Sequence, residues 1–259
     1  MNEIKIEIKG KSKTYRSPAA WSELGRRNFI PACMLRSGNG DPEENIREII
    51  GISKRDFKKI PKSYIMIIYE EYFKWIVDIP EYKDSKINVV RIGLKKLRGP
   101  ERQFSNITWE EFIWADTLYL RGMGDEAMAV LYRRERKGEK EPFDERNMNA
   151  NFKQIKKLPE TTRLAMLINY DAMRLGVLEK KYKNLFPPRM TKQQFDSLSE
   201  EEKKRRLEKD KSNSFSWMEV HTAIMGDNYY MADKYMKTKL STVLDHIDRT
   251  IAEQKQTKK

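Results

Sequence analysis

A mainly α fold, helical and bundle-like behind a short N-terminal β-hairpin, is what this sequence predicts, and three observations predict it. Apolar residues recur at helical spacing over most of the chain, the opening residues alternate with a period of two, and Gly and Pro fall between these segments. With 259 residues, 39% of them hydrophobic, one large or two small domains have enough apolar material for a proper core.

Ile4, Ile6 and Ile8 alternate with Lys5, Glu7 and Lys9, and Gly10 to Lys13 turns the chain into Thr14-Tyr15-Arg16. This reads as a hairpin over 1–17, and because a lone two-stranded ribbon is marginal in water it must pack on the helices or on another copy. Trp21, Leu24, Phe29 and Ile30 mark a first helix that Pro31 should interrupt, and Ser37 to Asp41 has the composition of a loop. After Pro61, the residues Ile65, Ile68, Tyr69, Tyr72, Phe73 and Ile76 form one continuous apolar face that Pro80 stops.

From Ile79 to Thr108 the pattern weakens to a connector, with a short extended piece at Val89, Val90 and Ile92 and a turn at Gly99-Pro100. Thr108 and Glu111 have capping-box spacing ahead of Phe112, Ile113, Leu118 and Leu120. Asp125 is placed to cap a helix through Met128, Val130, Leu131 and Tyr132, and the polar stretch from Lys137 to Arg146 predicts an exposed loop. Arg163 to Leu178 is apolar on nearly every side, which predicts a central buried helix, closed by Tyr182, Leu185 and Phe186 before Pro187-Pro188. Phe215, Trp217, Met218, Val220 and Ile224 begin another helix, and Met236, Leu240, Val243, Leu244, Ile247 and Ile251 share one face of the last. The resulting organisation is a hairpin (1–17), a helical core (18–188), a charged linker or peripheral helix (189–213) and a C-terminal helical segment (214–259) packing on the core. Within the charged stretch, Ser199 opens a helix whose acids (Glu200, Glu201, Glu202) precede its bases (Lys203, Lys204, Arg205, Arg206), the order the helix dipole favours.

The formal charge is +13 and the pI about 9.5. The excess is dispersed, with only the 101–150 stretch carrying more acids than bases. Charge of this kind gives nonspecific nucleic-acid binding at low salt. Tyr229, Tyr230, Lys234, Tyr235, Lys237 and Lys239 resemble a base-stacking, phosphate-contacting set, but Lys234, Tyr235 and Lys239 fit equally well as the shoulder of the last amphipathic helix.

No apolar run approaches the roughly 18 residues a membrane helix needs; the longest is Tyr64 to Tyr69. The Met1-Asn2-Glu3-Ile4 start has no signal architecture, and a single cysteine, Cys33, makes neither a disulfide nor, with only His221 and His246 beside it, a zinc site. A reducing cytoplasmic setting is expected. Gly10-Lys11-Ser12 resembles the end of a phosphate loop, yet the earlier glycine it requires would fall at Lys5. The acidic pairs Glu70-Glu71 and Glu110-Glu111 are sequence neighbours, so their side chains diverge by about 100° on a helix and form no acid–base pair. The expectation is a non-enzyme without catalytic residues, cofactor or metal.

Several short segments resemble, in order, the tail assembly chaperone-like proteins of tailed phages and prophages of Bacteroidetes hosts. Lys13-Thr14-Tyr15 followed by Ser17 to Leu24 is similar to their opening, and Ile107 to Asp116 to the segment before their Ala-rich helix. Ala129 to Arg134 resembles their Leu-Tyr-Arg-Pro run, with Arg134 where the family usually has proline, and Asp144 to Asn147 the charged segment after it. Lys181 to Pro187, then Phe215-Ser216-Trp217 and a closing amphipathic helix, complete the order. The resemblance implies a non-enzymatic morphogenesis protein of the host cytoplasm that binds the tape measure or tail-tube subunit. A neck or tail component of the virion and a basic nucleic-acid-binding accessory protein are the alternatives. Partner contact falls first on Trp21 and Leu24 after the hairpin, on Tyr132 and Arg133, and on Trp217, with core packing as the competing role of each. A homo-oligomer is compatible with the same faces.

Overall fold

A computed structural model describes residues 1–8, 10–186, 195–205, 216–226 and 231–257. The fold is mainly α, about 60% helical, with two small sheets.

Strands β1 (Asn2–Ile8) and β2 (Lys11–Ser17) form the expected antiparallel hairpin, with Ile4 opposite Tyr15 and Ile6 opposite Lys13. Directly opposed residues share a face, so Ile4, Ile6 and Tyr15 give the ribbon one apolar side. That side is buried against helices: Ile4 and Ile6 are inaccessible. The Tyr64 hydroxyl on α4 (Lys62–Tyr72) donates to the Lys5 carbonyl at 3.1 Å, and Lys13 pairs with Asp56 at 2.7 Å.

The first helix differs from expectation. Trp21–Glu23 is a 3-10 turn, and α1 (Arg26–Ser37) then runs straight through Pro31. Proline forfeits one helical hydrogen bond, but Phe29, Ala32 and Cys33 around it are completely buried, and that packing holds the turn in place. Helix α2 (Pro42–Ile50) starts with Asp41 as cap and Pro42 in the first turn. A four-residue turn, α3 (Lys54–Phe57), leads to α4, whose Ile65 and Ile68 are buried as predicted, and the same face continues through Phe73 and Ile76.

A four-stranded antiparallel sheet includes the extended piece expected at Val89 to Ile92 as its first strand, while its other strands depart from expectation. Its strands β3 (Val89–Ile92), β4 (Lys95–Arg98), β5 (Arg133–Arg136) and β6 (Glu139–Lys140) lie in that order. Helix α5 (Trp109–Leu120) opens with the predicted capping box, Thr108 and Glu111 each accepting from the other's backbone N–H. Helix α6 (Gly124–Leu131) does not use Asp125 as its cap; Met123 holds that position. The Asp125 carboxylate instead pairs with Lys156 at 2.6 Å and with Arg163, tying down α7 (Met148–Ile155) and α8 (Glu160–Met173).

The central helix α8 is buried as expected and continues as a π-helical turn, Arg174–Glu179. Gly176 is required there, since a Cβ would come within 2.5 Å of the Tyr82 carbonyl oxygen, where the chain crosses to donate its Tyr82 N–H to the Ala172 carbonyl. The last predicted helix is two: Ala232–Met236 and Leu240–Thr257. They part because the chain between them bonds across the start of α5, the Trp109 N–H donating to the Thr238 carbonyl at 2.9 Å and the Leu240 N–H to the Ile107 carbonyl at 3.0 Å.

Of the charged stretch 189–213, residues 200–205 are helical behind a Ser199–Glu202 capping box, and positions 189–194 and 206–213 lie outside the described residues, as do Pro187, Phe215, Tyr229 and Tyr230. A continuous cluster of buried apolar residues extends from Ile4 to Ile247. Among the described residues no helix is long and apolar enough to cross a membrane.

Candidate functional site

Two carboxylates on α5, Glu111 and Asp116, are buried. Five residues apart on a helix, they point about 140° from each other and so gather separate sets of partners.

Asp116 is completely inaccessible and accepts from Tyr170 Oη at 2.8 Å, Arg174 Nε at 2.8 Å and Trp217 Nε1 at 2.7 Å. The π-helical turn carries Arg174 at its head, and the same guanidinium reaches Glu179 at 3.1 Å. Burial opposes the Arg174 charge, but Asp116 outweighs it and the pKa is raised, so the guanidinium stays ionised. The Trp217 ring stands edge-on to Trp109 (centroids 5.6 Å) and Phe112 (4.9 Å), while Phe186 packs against it and lies under Arg174. Trp217 reaches this position at the head of the Trp217–Met225 helix, capped by the Ser216 side chain. One turn on, His221 accepts the Trp109 indole N–H at 3.2 Å.

Glu111 has a different company. Its Oε1 pairs with the Arg133 guanidinium and lies 3.3 Å from Lys140 Nζ, while Oε2 accepts the Thr108 N–H at 2.8 Å. Arg133, at the start of β5, also donates to the Glu141 carbonyl at 2.8 Å and sits over the Phe143 ring. Two buried cations thus share one buried carboxylate. Burial together with the Arg133 charge pushes the Lys140 ammonium down to about 6. Burial likewise raises the Glu110 carboxyl next door.

This cluster forms a wall of a cavity of about 540 Å³ whose lining also includes Arg98, Phe143 and Lys237. Chemically it offers hydrogen-bonding groups of both signs and one lysine whose ammonium form burial disfavours.

The structure brings Arg133 to the Glu111 cluster and Trp217 to the Asp116 cluster, while Tyr132 turns away from both. Tyr132 donates its hydroxyl to the Ile87 carbonyl at 2.7 Å, with its ring against Gly99 in space that no Cβ could share. Trp21 and Leu24 lie apart from both; Trp21 stands edge-on to Phe29 and Trp75. All five side chains are buried, none more than 5% exposed, so their role in this conformation is packing and none is presented to a partner.

Sequence reasoning missed Asp116, Tyr170, Arg174 and Lys140, and saw Glu111 only as a capping residue and as one of two neighbouring acids. Of the neighbouring acids Glu110 and Glu111, only the second is fully buried, the divergence expected of adjacent helix positions. Cys33 is buried, and burial pushes its thiol up, away from reactivity. His246 is exposed, and the Gly10-Lys11-Ser12 segment lies at the hairpin turn. Among the described residues no group of three His, Cys, Asp or Glu side chains is placed to hold a metal ion. No protein-family model matches the chain, and no curated protein or solved structure matches it.

Proposed function

We propose that the chain is a non-enzymatic phage morphogenesis protein, a tail assembly chaperone that holds the tape measure or tail-tube subunit before the tail is built. The observation that supports this reading is how the segments resembling that family meet in space. Glu111 and Asp116 come from the Ile107 to Asp116 segment, Arg133 from Ala129 to Arg134, Phe186 from Lys181 to Pro187 and Trp217 from the last motif, and they join in two adjoining clusters on α5. Four of the six resembling segments thus contribute to one packed unit around α5, while the opening one, with Trp21 and Leu24, packs apart from it against Phe29 and Trp75.

The test is co-expression with the tape measure and tube subunits of the same phage, followed by affinity capture and by mass spectrometry of purified particles. Retention of either subunit, with the protein abundant in lysate and missing from particles, is the expected outcome. Stoichiometric presence in particles would replace the reading with a neck or tail component, and failure to retain either subunit would remove it.

A further inference from the structure

We propose that the hollow between the start of α1, strand β3 and the start of α8 is a docking site for an acidic, partly apolar segment of a partner protein. The proposal rests on the partner-holding reading above and names the chemistry of what is held. The hollow measures about 600 Å³. Its rim carries three exposed arginines, Arg26, Arg27 and Arg91, and no Asp or Glu side chain lines it. The rest of its lining is largely apolar: Ile30 and Val89 are half-buried and Pro159 is exposed, above the buried Ile87, Val90 and Leu158.

Several other arginines are matched with carboxylates, Arg47 with Glu44, Arg133 with Glu111, Arg163 with Asp125 and Arg174 with Asp116. Here Arg26 is held by donating to the Val89 carbonyl, and Arg27 and Arg91 have no carboxylate partner among the described residues. Three like charges gathered on one rim repel one another, and an anionic ligand relieves that repulsion. Arginine in particular presents a planar fork that a carboxylate or phosphate satisfies with two hydrogen bonds.

The apolar lining decides between those two anions. A phosphate backbone gains nothing from covering Ile30, Val89 and Pro159, the accessible apolar part of the lining, and no aromatic ring lines the hollow for a base to stack on. A peptide with Glu or Asp beside Leu or Ile satisfies rim and lining together. The setting suits an extended segment too, because β3 is an outer strand of its sheet. The cavity beside Glu111 is the opposite case, lined by Glu101, Glu110, Glu111, Glu139 and Glu141 as well as by cations, and shows no preference for an acidic guest.

The experiment measures binding of a fluorescein-labelled twelve-residue peptide of alternating Glu and Leu to the full chain. The wild type is compared with Arg27→Glu/Arg91→Glu and with the milder Arg27→Gln/Arg91→Gln, which guards against misfolding of the first. The same peptide with Gln for Glu, and a 20-nucleotide single strand of DNA as competitor, complete the set. Expected are saturable binding to the wild type, loss of about tenfold or more in both variants and with the Gln peptide, and little competition from DNA. Equal binding by the variants, no binding to the wild type, or DNA competing at equal concentration would each overturn the proposal. Capture of tape measure or tube subunit by the same proteins separates the two readings. Equal capture by wild type and variants sinks this site and leaves the chaperone reading standing, whereas no capture beside arginine-dependent peptide binding does the reverse.

Discussion

The two buried carboxylates of α5 sit five residues apart and meet opposite fates. Asp116 is saturated, its donors coming from Tyr170, Arg174 and Trp217 in a region with no access to solvent. Glu111 is oversubscribed, serving Arg133, Lys140 and a backbone N–H at the edge of a cavity. A carboxylate whose partners balance it acts as a fastener between elements. One that must serve two cations leaves a charge in excess, and that excess appears as a lysine that holds its proton poorly. Burial is the larger cause of that weak hold at Lys140, and the neighbouring Arg133 charge adds to it, whereas at Arg174 the Asp116 charge outweighs burial.

That contrast is most easily broken at Asp116. The substitution Asp116→Asn leaves Arg174 buried without its counter-charge and is expected to cost about 3–5 kcal/mol in urea or thermal unfolding. A loss under 1 kcal/mol would mean that Glu179 alone suffices for Arg174. Next comes Trp217→Phe, which keeps most of the aromatic packing and removes only the indole N–H donated to Asp116. A destabilisation of about 1–3 kcal/mol is expected, the cost of one charge-assisted hydrogen bond.

Lys140 sharpens the other side. Its folded-state pKa of about 6 lies below the ordinary 10.5, so between those values the unfolded chain binds more protons than the folded one. Stability therefore rises with pH across that window and is lost as pH falls towards 6, with a slope of at most about 1.4 kcal/mol per pH unit from this group. Denaturant titrations between pH 6.5 and 9 should show the rise in the wild type and a flatter profile in Lys140→Met. An unchanged slope in the variant would show that Glu111 serves both cations fully.

What was legible in the sequence was what local spacing encodes. The capping box at Thr108 and Glu111, the face of α4 and the N-terminal hairpin depend on neighbours within a few positions. Of the second sheet, β3 was legible as the short extended piece at Val89, Val90 and Ile92, but β4, β5 and β6 were hidden because they are two to four residues long and rich in charge, as in Lys95-Lys96 and Arg133 to Arg136. A signal did exist in the turns: Lys137 and Gly138 both have positive φ, the backbone of a tight two-residue hairpin, and Gly93-Leu94 joins β3 and β4 in the same number of residues. Pro31 misled because its effect on a helix is local while the packing of Phe29, Ala32 and Cys33 is tertiary. The Asp116 cluster was out of reach for the same reason. Its members lie 54 to 101 residues from Asp116, and nothing near Asp116 in sequence points to them.

The separation of Asp116 from Trp217 also bears on how the protein comes into being. The indole that completes the carboxylate's set of donors follows it by 101 residues. At a synthesis rate of roughly 5–20 residues per second, the carboxylate waits about 5–20 s for that donor. Until then α5 can pack only provisionally, with a charged group at its centre still wet. The nascent chain thus carries a built-in delay: its middle is made early and becomes dry only when its last third arrives.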